Sequence, residues 1–468
     1  NHPHNNMPAT NVCSLLLKRR ILPSSFLQSS PKCIFSTTTA TARTTNITSN
    51  DDLNSGTISA VYIFHRHGDR TPNRPLCADH QIDAEAKFWR TKLPPSELVS
   101  SVSKRFPTQI LSPPHEKEKT ESQFCDTKKE PFGFLTFRGA LQMQSTGRRL
   151  RKRYNRQNDI DFLQSWDVSV FSTKYLRTTL SAQFFLDGFL PPTPSLSEES
   201  PILPVSVRDR HNDNLNAFDK NPELMSTLVS HVISDPYFQR HDRTAAPLAA
   251  RLANFLPGLM LTKQSSFGGP SGINWIHAAD HFVCRDSHDV PLSIMEGGLL
   301  NGGTPMEEME EAMRSMASQT VAHLAWRFRQ WYRHPPLLGA IAAPPLRDVA
   351  KEMMQQRTNV RRYGEAKPLF RVYSCHDVTI LALLYALKAN IVKEGSRFWP
   401  PYASTLVLEL VTGIQGDNND DFKVRVFLNG KGVKEELMTV DDFSNLVNAL
   451  VLVDEAMTGA TDDASRDT

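Results

Sequence analysis

TISAVYIFHRHGDRTP, residues 57–72, begins as a nearly continuous apolar, β-branched run and changes within one residue into histidines, arginines and an aspartate. An apolar run without alternation is what a strand covered on both faces of a sheet looks like. Its polar end, with His65, His67 and Asp69 interleaved by Arg66 and Arg70, then falls at the carboxyl edge, where open α/β sheets bind ligands. The stretch therefore predicts both the fold class and the place of the site.

Working outward, the same strand-to-helix change recurs. WDVSVFST (166–173) reads as a second strand and runs into a helix over KYLRTTLSAQFFLDGFL, with the switch near Ser172 and Thr173 and an end before Pro191 and Pro192. LFRVYSCHDVTILALLYAL (369–387) repeats it, with His376 and Asp377 at the junction. STLVLEL and FKVRVFLNG predict two final strands, the latter closing on an Asn-Gly turn. Before the second strand, Thr136 caps a helix in LTFRGALQMQSTGRRLRKRYN whose inner face is Ala140, Met143, Gly147, Leu150 and Tyr154, with cations crowding its last turns.

The segments between are less periodic. Residues 73–134, rich in proline and charge and including PPHEKEKTESQ, predict an irregular surface excursion. Residues 193–365 carry mostly helical patterns with Pro and Gly breaks. In the longest, Pro305 to Arg333, Thr304 and Glu307 form a capping box, and Met309, Met313, Met316, Leu324, Phe328 and Trp331 line one face as core. The expected organisation is a doubly wound α/β catalytic domain from 51–192 and 366–453, interrupted by a mostly helical cap domain at 193–365, with an acidic disordered tail at 454–468.

Composition narrows the function. A net charge of +3 over 468 residues asks for no nucleic acid or anionic surface as an obligate partner, and 40% hydrophobic content suits a globular chain. Six cysteines with no CxxC pair and no even, closely spaced framework argue against a disulfide-built scaffold. The apolar run Val378 to Leu387 is far short of the roughly 20 residues that span a bilayer. The first fifty residues hold no Asp or Glu but Lys18, Arg19, Arg20, Lys32 and Arg43, among Ser and Thr tracts. That is the composition of an organelle transit peptide; a secretory signal would not break its apolar run with three consecutive cations.

Two chemistries compete for the site. HxHxD suits metal ligation, but a dication would have Arg66 and Arg70 as neighbours, at a cost of several kcal/mol where solvation is poor. An anion reverses that sign: guanidinium forks neutralise and orient a phosphate monoester, and a neutral imidazole beside it is a competent nucleophile at phosphorus. Gly68 is expected to let the phosphate approach the backbone. Asp377 is chemically able to give a proton to the leaving alkoxide and to take one from water. Taken singly, His376, Asp377 and Arg177 read as a turn, a cap and a solvated helix face.

Together these residues resemble the histidine acid phosphatases. Arg66-His67-Gly68-Asp69-Arg70-Thr71-Pro72 matches their RHGxRxP signature, STKYLRTTLSA the segment with a third phosphate-binding arginine, and YSCHDVTI their HD element; the likeness runs from about Ile58 to Leu450. The resemblance implies a phosphoglycerate mutase-like fold, no metal or other cofactor, His67 as phosphoryl acceptor, Arg66, Arg70, Arg177 and His376 as phosphate ligands, and Asp377 as proton donor. FWPPYASTLVLEL and VRVFLNGKGV are similar to the lysophosphatidic acid phosphatase branch, which implies a lysophospholipid substrate and a mitochondrial address. Alternatives are a broad acid phosphatase, a phytase-type inositol phosphate phosphatase and, further off, a phosphomutase. Phe171 departs from the arginine common before Ser-Thr, and His65 from an apolar residue; His65 is expected to be a buried, hydrogen-bonded histidine. Cys375, beside His376, is a candidate for inhibitory oxidation.

Overall fold

A computed structural model describes residues 56–111, 129–155, 162–191, 203–260, 272–288, 306–393, 396–413, 422–434 and 436–451. The expected leader, the acidic tail, PPHEKEKTESQ, the Thr304 capping box and the side chain of Met309 lie outside the described residues.

Strand β1 (Thr57–Arg66) is the spine of a mixed sheet. Helices α1 (Ile82–Arg90) and α2 (Ser96–Arg105) and the edge strand β2 (Thr108–Leu111) follow, then α3 (Phe137–Tyr154), β3 (Asp167–Ser172), α4 (Leu176–Phe189) and β4 (Val205–Arg208). Next come α5 (Pro222–Ser234), α6 (Pro236–Arg243), α7 (Trp275–Asp286) and the long α8 (Met306–Arg333) and α9 (Pro335–Tyr363). The chain then returns to the sheet through β5 (Leu369–Cys375), α10 (Asp377–Ala386), β6 (Thr405–Thr412) and β7 (Lys423–Leu428). Strand order is β2-β4-β3-β5-β1-β6-β7 with short pairings beyond β7; the first five are parallel, and β6 and β7 are antiparallel to their neighbours.

The sheet is covered on both faces, which is why β1 reads as unbroken apolar sequence. Val61 and Ile63 pack into a core with Met143 and Leu150 of α3, Phe185 and Phe189 of α4, and Phe370 and Val372 of β5. Phe64 points the other way and stacks on Tyr373 at 4.5 Å, on the side where Gln356 of α9 donates to the Ser59 carbonyl. The Asn-Gly turn forms as expected, with Asn429 at φ 52° and Gly430 at φ 83°, the left-handed pair that a two-residue hairpin needs.

Two expectations change. Residues 73–134 contain α1, α2 and β2, and Trp89 of α1 is fully buried; both helices are amphipathic, but each is short and set among prolines and charges that hide its pattern. Within 193–365, β4 is a strand of the sheet, lying between β2 and β3, and α9 lies against β1 with Pro344 and Pro345 inside it. A four-residue strand offers too few positions for an alternation to register.

Candidate active site

Parallel pairing puts the polar ends of β1 and β5 side by side. Arg66 is in register with Cys375, and the His67 amide donates to the Cys375 carbonyl at 3.1 Å. β3 pairs with β5 on its other side, Ser172 opposite Ser374, so α4 begins at the same edge and carries Arg177 in its first turn. Arg66, His67, Arg70, Arg177, His376 and Asp377, the six site residues expected from the sequence, thus converge. Their charges act on one another: Arg177, Arg66, Arg70 and His376 all bear on His67.

His67 is 2% exposed, and its Nδ1 is 2.8 Å from the Gly68 carbonyl oxygen. A carbonyl only accepts, so Nδ1 carries the proton and the lone pair is on Nε2. Burial first, then Arg177, Arg66, Arg70 and His376, push the imidazole well below its usual range. The ring faces His376 at 5.7 Å and Tyr402 at 5.8 Å between centroids. His376 is lowered likewise, by burial and then Arg177, with Asp377 opposing; its Nε2 lies 3.2 Å from Thr173 Oγ1. Both imidazoles are therefore neutral at physiological pH.

The arginines are held by other elements. Arg66 donates to the Pro400 carbonyl at 2.7 Å, pairs with Asp377 Oδ2 at 2.8 Å and lies over the Tyr402 ring at 4.1 Å. Arg70 pairs with Asp280 of α7 at 2.7 Å and reaches Cys284 Sγ at 3.8 Å. Arg177 lies over the Tyr175 ring at 4.3 Å. Asp377 also accepts from Trp399 Nε1 at 3.1 Å. Burial would raise its pKa, but Arg66, Arg70, His376 and the Trp399 hydrogen bond outweigh that and leave it lowered.

The HxHxD run separates into three surroundings. His65 continues the inward row of Val61 and Ile63, is fully buried and stacks on Phe185 at 5.5 Å. Burial pushes it down to about 4 and one ring nitrogen meets the Arg66 carbonyl, while Nε2 has no partner. Asp69, fully buried, accepts from Thr136 Oγ1 at 2.5 Å, from His288 Nε2 at 2.6 Å and from Ser287. With His65 in the core and Asp69 already coordinated by α3 and the end of α7, the two cannot join His67 around one ion.

Gly68 has a different reason from the one expected. A Cβ there would come within 2.4 Å of the Gly139 carbonyl oxygen, and one on Gly139 within 2.1 Å of the Asp69 carbonyl oxygen. The missing side chain admits the first turn of α3, which Thr136 caps by accepting from the Gly139 amide. The surroundings of Cys375 disfavour the oxidation expected there: its side chain is fully buried, donates to the His65 carbonyl at 3.5 Å, and burial pushes the thiol up, away from the reactive thiolate.

Sequence reasoning missed Asp280, Cys284, Trp399 and Tyr402. The last two stood in the quoted FWPPYAS element, so a signal existed; for α7 only its helical pattern was visible.

A family model described as the histidine phosphatase superfamily (branch 2) matches residues 57–268 and 302–429. The chain is 24% identical over 417 residues to lysophosphatidic acid phosphatase type 6 of Bos taurus, covering 86% of each. It is 24% identical over 310 residues to lysosomal acid phosphatase of Rattus norvegicus, covering 65% of this chain and 64% of that one. Among solved structures, the apo form of Hafnia alvei phytase aligns with a TM-score of 0.48 and 13% identity over 85% of this chain and 98% of that one.

Proposed function

Since this chain belongs to branch 2 of the histidine phosphatase superfamily and is a phosphomonoester hydrolase, we propose that it acts through a phosphohistidine at His67, without a metal, on lysophosphatidic acid. The observation that carries the mechanism is the neutral His67 imidazole, its Nδ1 proton held by Gly68, among three arginines.

In the first step the Nε2 lone pair attacks phosphorus, the P–O bond to the alcohol breaks, and Asp377 gives its proton to the leaving oxygen. Arg66, Arg70, Arg177 and His376 hold the equatorial oxygens as charge redistributes. In the second step Asp377 takes a proton from water, the water oxygen attacks phosphorus, and the P–N bond breaks to release phosphate and restore His67. Asp377 must begin protonated, although the surrounding cations lower its pKa. A bound phosphate dianion offsets those cations and raises it again.

Two observations support the lysolipid. Relatives named lysophosphatidic acid phosphatase type 6 match over most of both chains. On the Asp377 side, where the alcohol leaves, Trp399 packs on Phe328 at 5.0 Å and offers an apolar wall. One observation favours a second substrate class, inositol phosphates: the charges of Arg74, Arg70 and Lys129 all bear on His277, beside Asp280. The acid-free first fifty residues support a mitochondrial address, which import of a labelled full chain into isolated mitochondria tests.

The deciding experiment measures phosphate released from lysophosphatidic acid with EDTA present, for wild type and His67→Ala. Release that resists EDTA and is lost in the variant is expected. Silence on this substrate with turnover of inositol hexakisphosphate or an aryl phosphate would overturn the substrate, and loss on EDTA alone would overturn the metal-free mechanism.

A further inference from the structure

Helix α3 packs its inner face, Gly139, Ala140, Met143, Thr146, Gly147 and Leu150, onto the core, as an amphipathic helix should. Its outer face does not follow the usual pattern. Phe137 and Leu141, 40% and 45% exposed, open it, and Ser145, Arg148 and Lys152 continue it, all exposed. At about 100° per residue these five lie within about 80° of arc, opposite the buried row, in a stripe about 22 Å long. Arg149 flanks it, also exposed.

Three features set this stripe apart from an ordinary solvated face. Residues 137–154 contain no Asp or Glu, so the usual i,i+4 partners are missing. Arg153, on the neighbouring face, is paired with Glu409 at 2.6 Å, but Arg148, Arg149 and Lys152 make no ion pair with any described residue. The adjacent acid on α4, Asp187, is already held by Arg105 at 2.7 Å and by Gln144. The apolar end is also the end at the active site, because Thr136 and Gly139 of the first turn touch Asp69 and Gly68.

We propose that this face of α3 docks the protein on an anionic phospholipid surface, with Phe137 and Leu141 entering the interface and Arg148, Arg149 and Lys152 over the headgroups. Two exposed apolar side chains and a few cations give reversible attachment, in which neither part suffices alone. The inference deepens the lysolipid assignment and rests on it for its purpose: a single-chain lysophospholipid resides in membranes, and docking beside the site shortens its path. Its physical basis, the stripe, is independent of that assignment.

The test is sedimentation of the full chain with phosphatidylcholine vesicles, with and without phosphatidylserine, at low and high salt. Wild type is compared with Arg148→Glu/Lys152→Glu and with Phe137→Ser/Leu141→Ser. Wild type should bind the anionic vesicles, release in salt and bind the neutral ones weakly. Each cation near such a surface is worth about fivefold in partitioning, so the charge reversal should cost about twenty-five-fold or more; the apolar variant should also weaken binding. Turnover of a soluble aryl phosphate, which reports folding, should be unchanged in both variants. Hydrolysis of lysophosphatidic acid carried in the anionic vesicles should fall with binding. Equal binding of wild type and charge-reversed protein, or no preference for anionic vesicles, would overturn the docking. Binding that behaves as expected with no hydrolysis of the lysolipid would overturn the substrate and leave the docking standing.

Discussion

Two buried clusters in this protein are built from the same three residue types. In the helical region, Asp242 of α6 accepts from His323 at 2.9 Å and from Arg327 of α8, and all three side chains are almost wholly buried. At the sheet edge, Arg66, Arg70, Arg177, His67 and His376 meet Asp377 and Asp280. The first is closed on itself: Asp242 is lowered despite its burial because its two partners bond its charge. The second is open: Arg66, Arg70 and Arg177 gather around two imidazoles, which burial first and then these arginines depress. A closed cluster ties helices together, whereas guanidiniums gathered around neutral imidazoles are organised for an anion.

Asp377→Asn gives the largest effect on the open cluster. It preserves the carboxylate's shape and its ability to accept from Trp399, but has no proton to give. Turnover of an alkyl phosphate should fall by about 10²–10⁴-fold. An aryl phosphate, whose leaving group needs less protonation, should lose much less. Equal losses on the two substrates would remove Asp377 as donor to the leaving group and place the whole loss in the second step, where it takes the proton from water for both.

In the closed cluster the expected effect is on stability. Asp242→Ala leaves Arg327, 1% exposed, without its carboxylate, and breaking such a pair costs about 3–5 kcal/mol. Thermal unfolding should shift down by many degrees while turnover per folded molecule stays at the wild-type value. A drop in turnover without a loss of stability would show that this cluster too serves the chemistry.

His65 supplies a third test, because it lies next to the open cluster but belongs to the core. Burial holds it at about 4 when folded, against about 6.5 unfolded. Between those values the unfolded chain binds the extra proton, so stability falls as pH falls, by up to about 3 kcal/mol in total from this group. His65→Leu should flatten that part of the acid dependence of unfolding. An unchanged slope would mean that the site histidines, lowered by the same burial, carry the whole effect.

What the sequence made legible follows the same division. β1 and β5 could be read because a strand covered on both faces is apolar throughout, and His67 and Asp377 because strand, turn and reactive residue are contiguous in TISAVYIFHRHGDRTP and LFRVYSCHDVTI. The residues that orient them were not legible. Asp280 reaches Arg70 from α7 and Tyr402 reaches Arg66 from the loop before β6, and no local pattern marks which distant carboxylate or ring the fold will choose. Gly68 was seen but misjudged, since its close neighbour is the backbone of α3.

Trp399→Phe makes the finest test, acting on one hydrogen bond within the open cluster. The ring keeps its packing on Phe328 at 5.0 Å, but the Nε1–H bond to Asp377 Oδ2 at 3.1 Å is gone. A hydrogen bond to an ionised carboxylate is worth about 1.5–3 kcal/mol, and because it favours the charged form, its loss raises the Asp377 pKa. The proton needed by the leaving group then persists to higher pH. The alkaline limb of turnover for an alkyl phosphate should move up, with a change at the optimum of about tenfold or less. A limb that stayed in place would mean that the neighbouring cations set the carboxyl without Trp399; a limb that moved down would mean that Trp399 holds the protonated form. The outcome bears on the open cluster as a whole: a carboxyl kept ionised by its surroundings can act as an acid only if the substrate's own charge returns its proton.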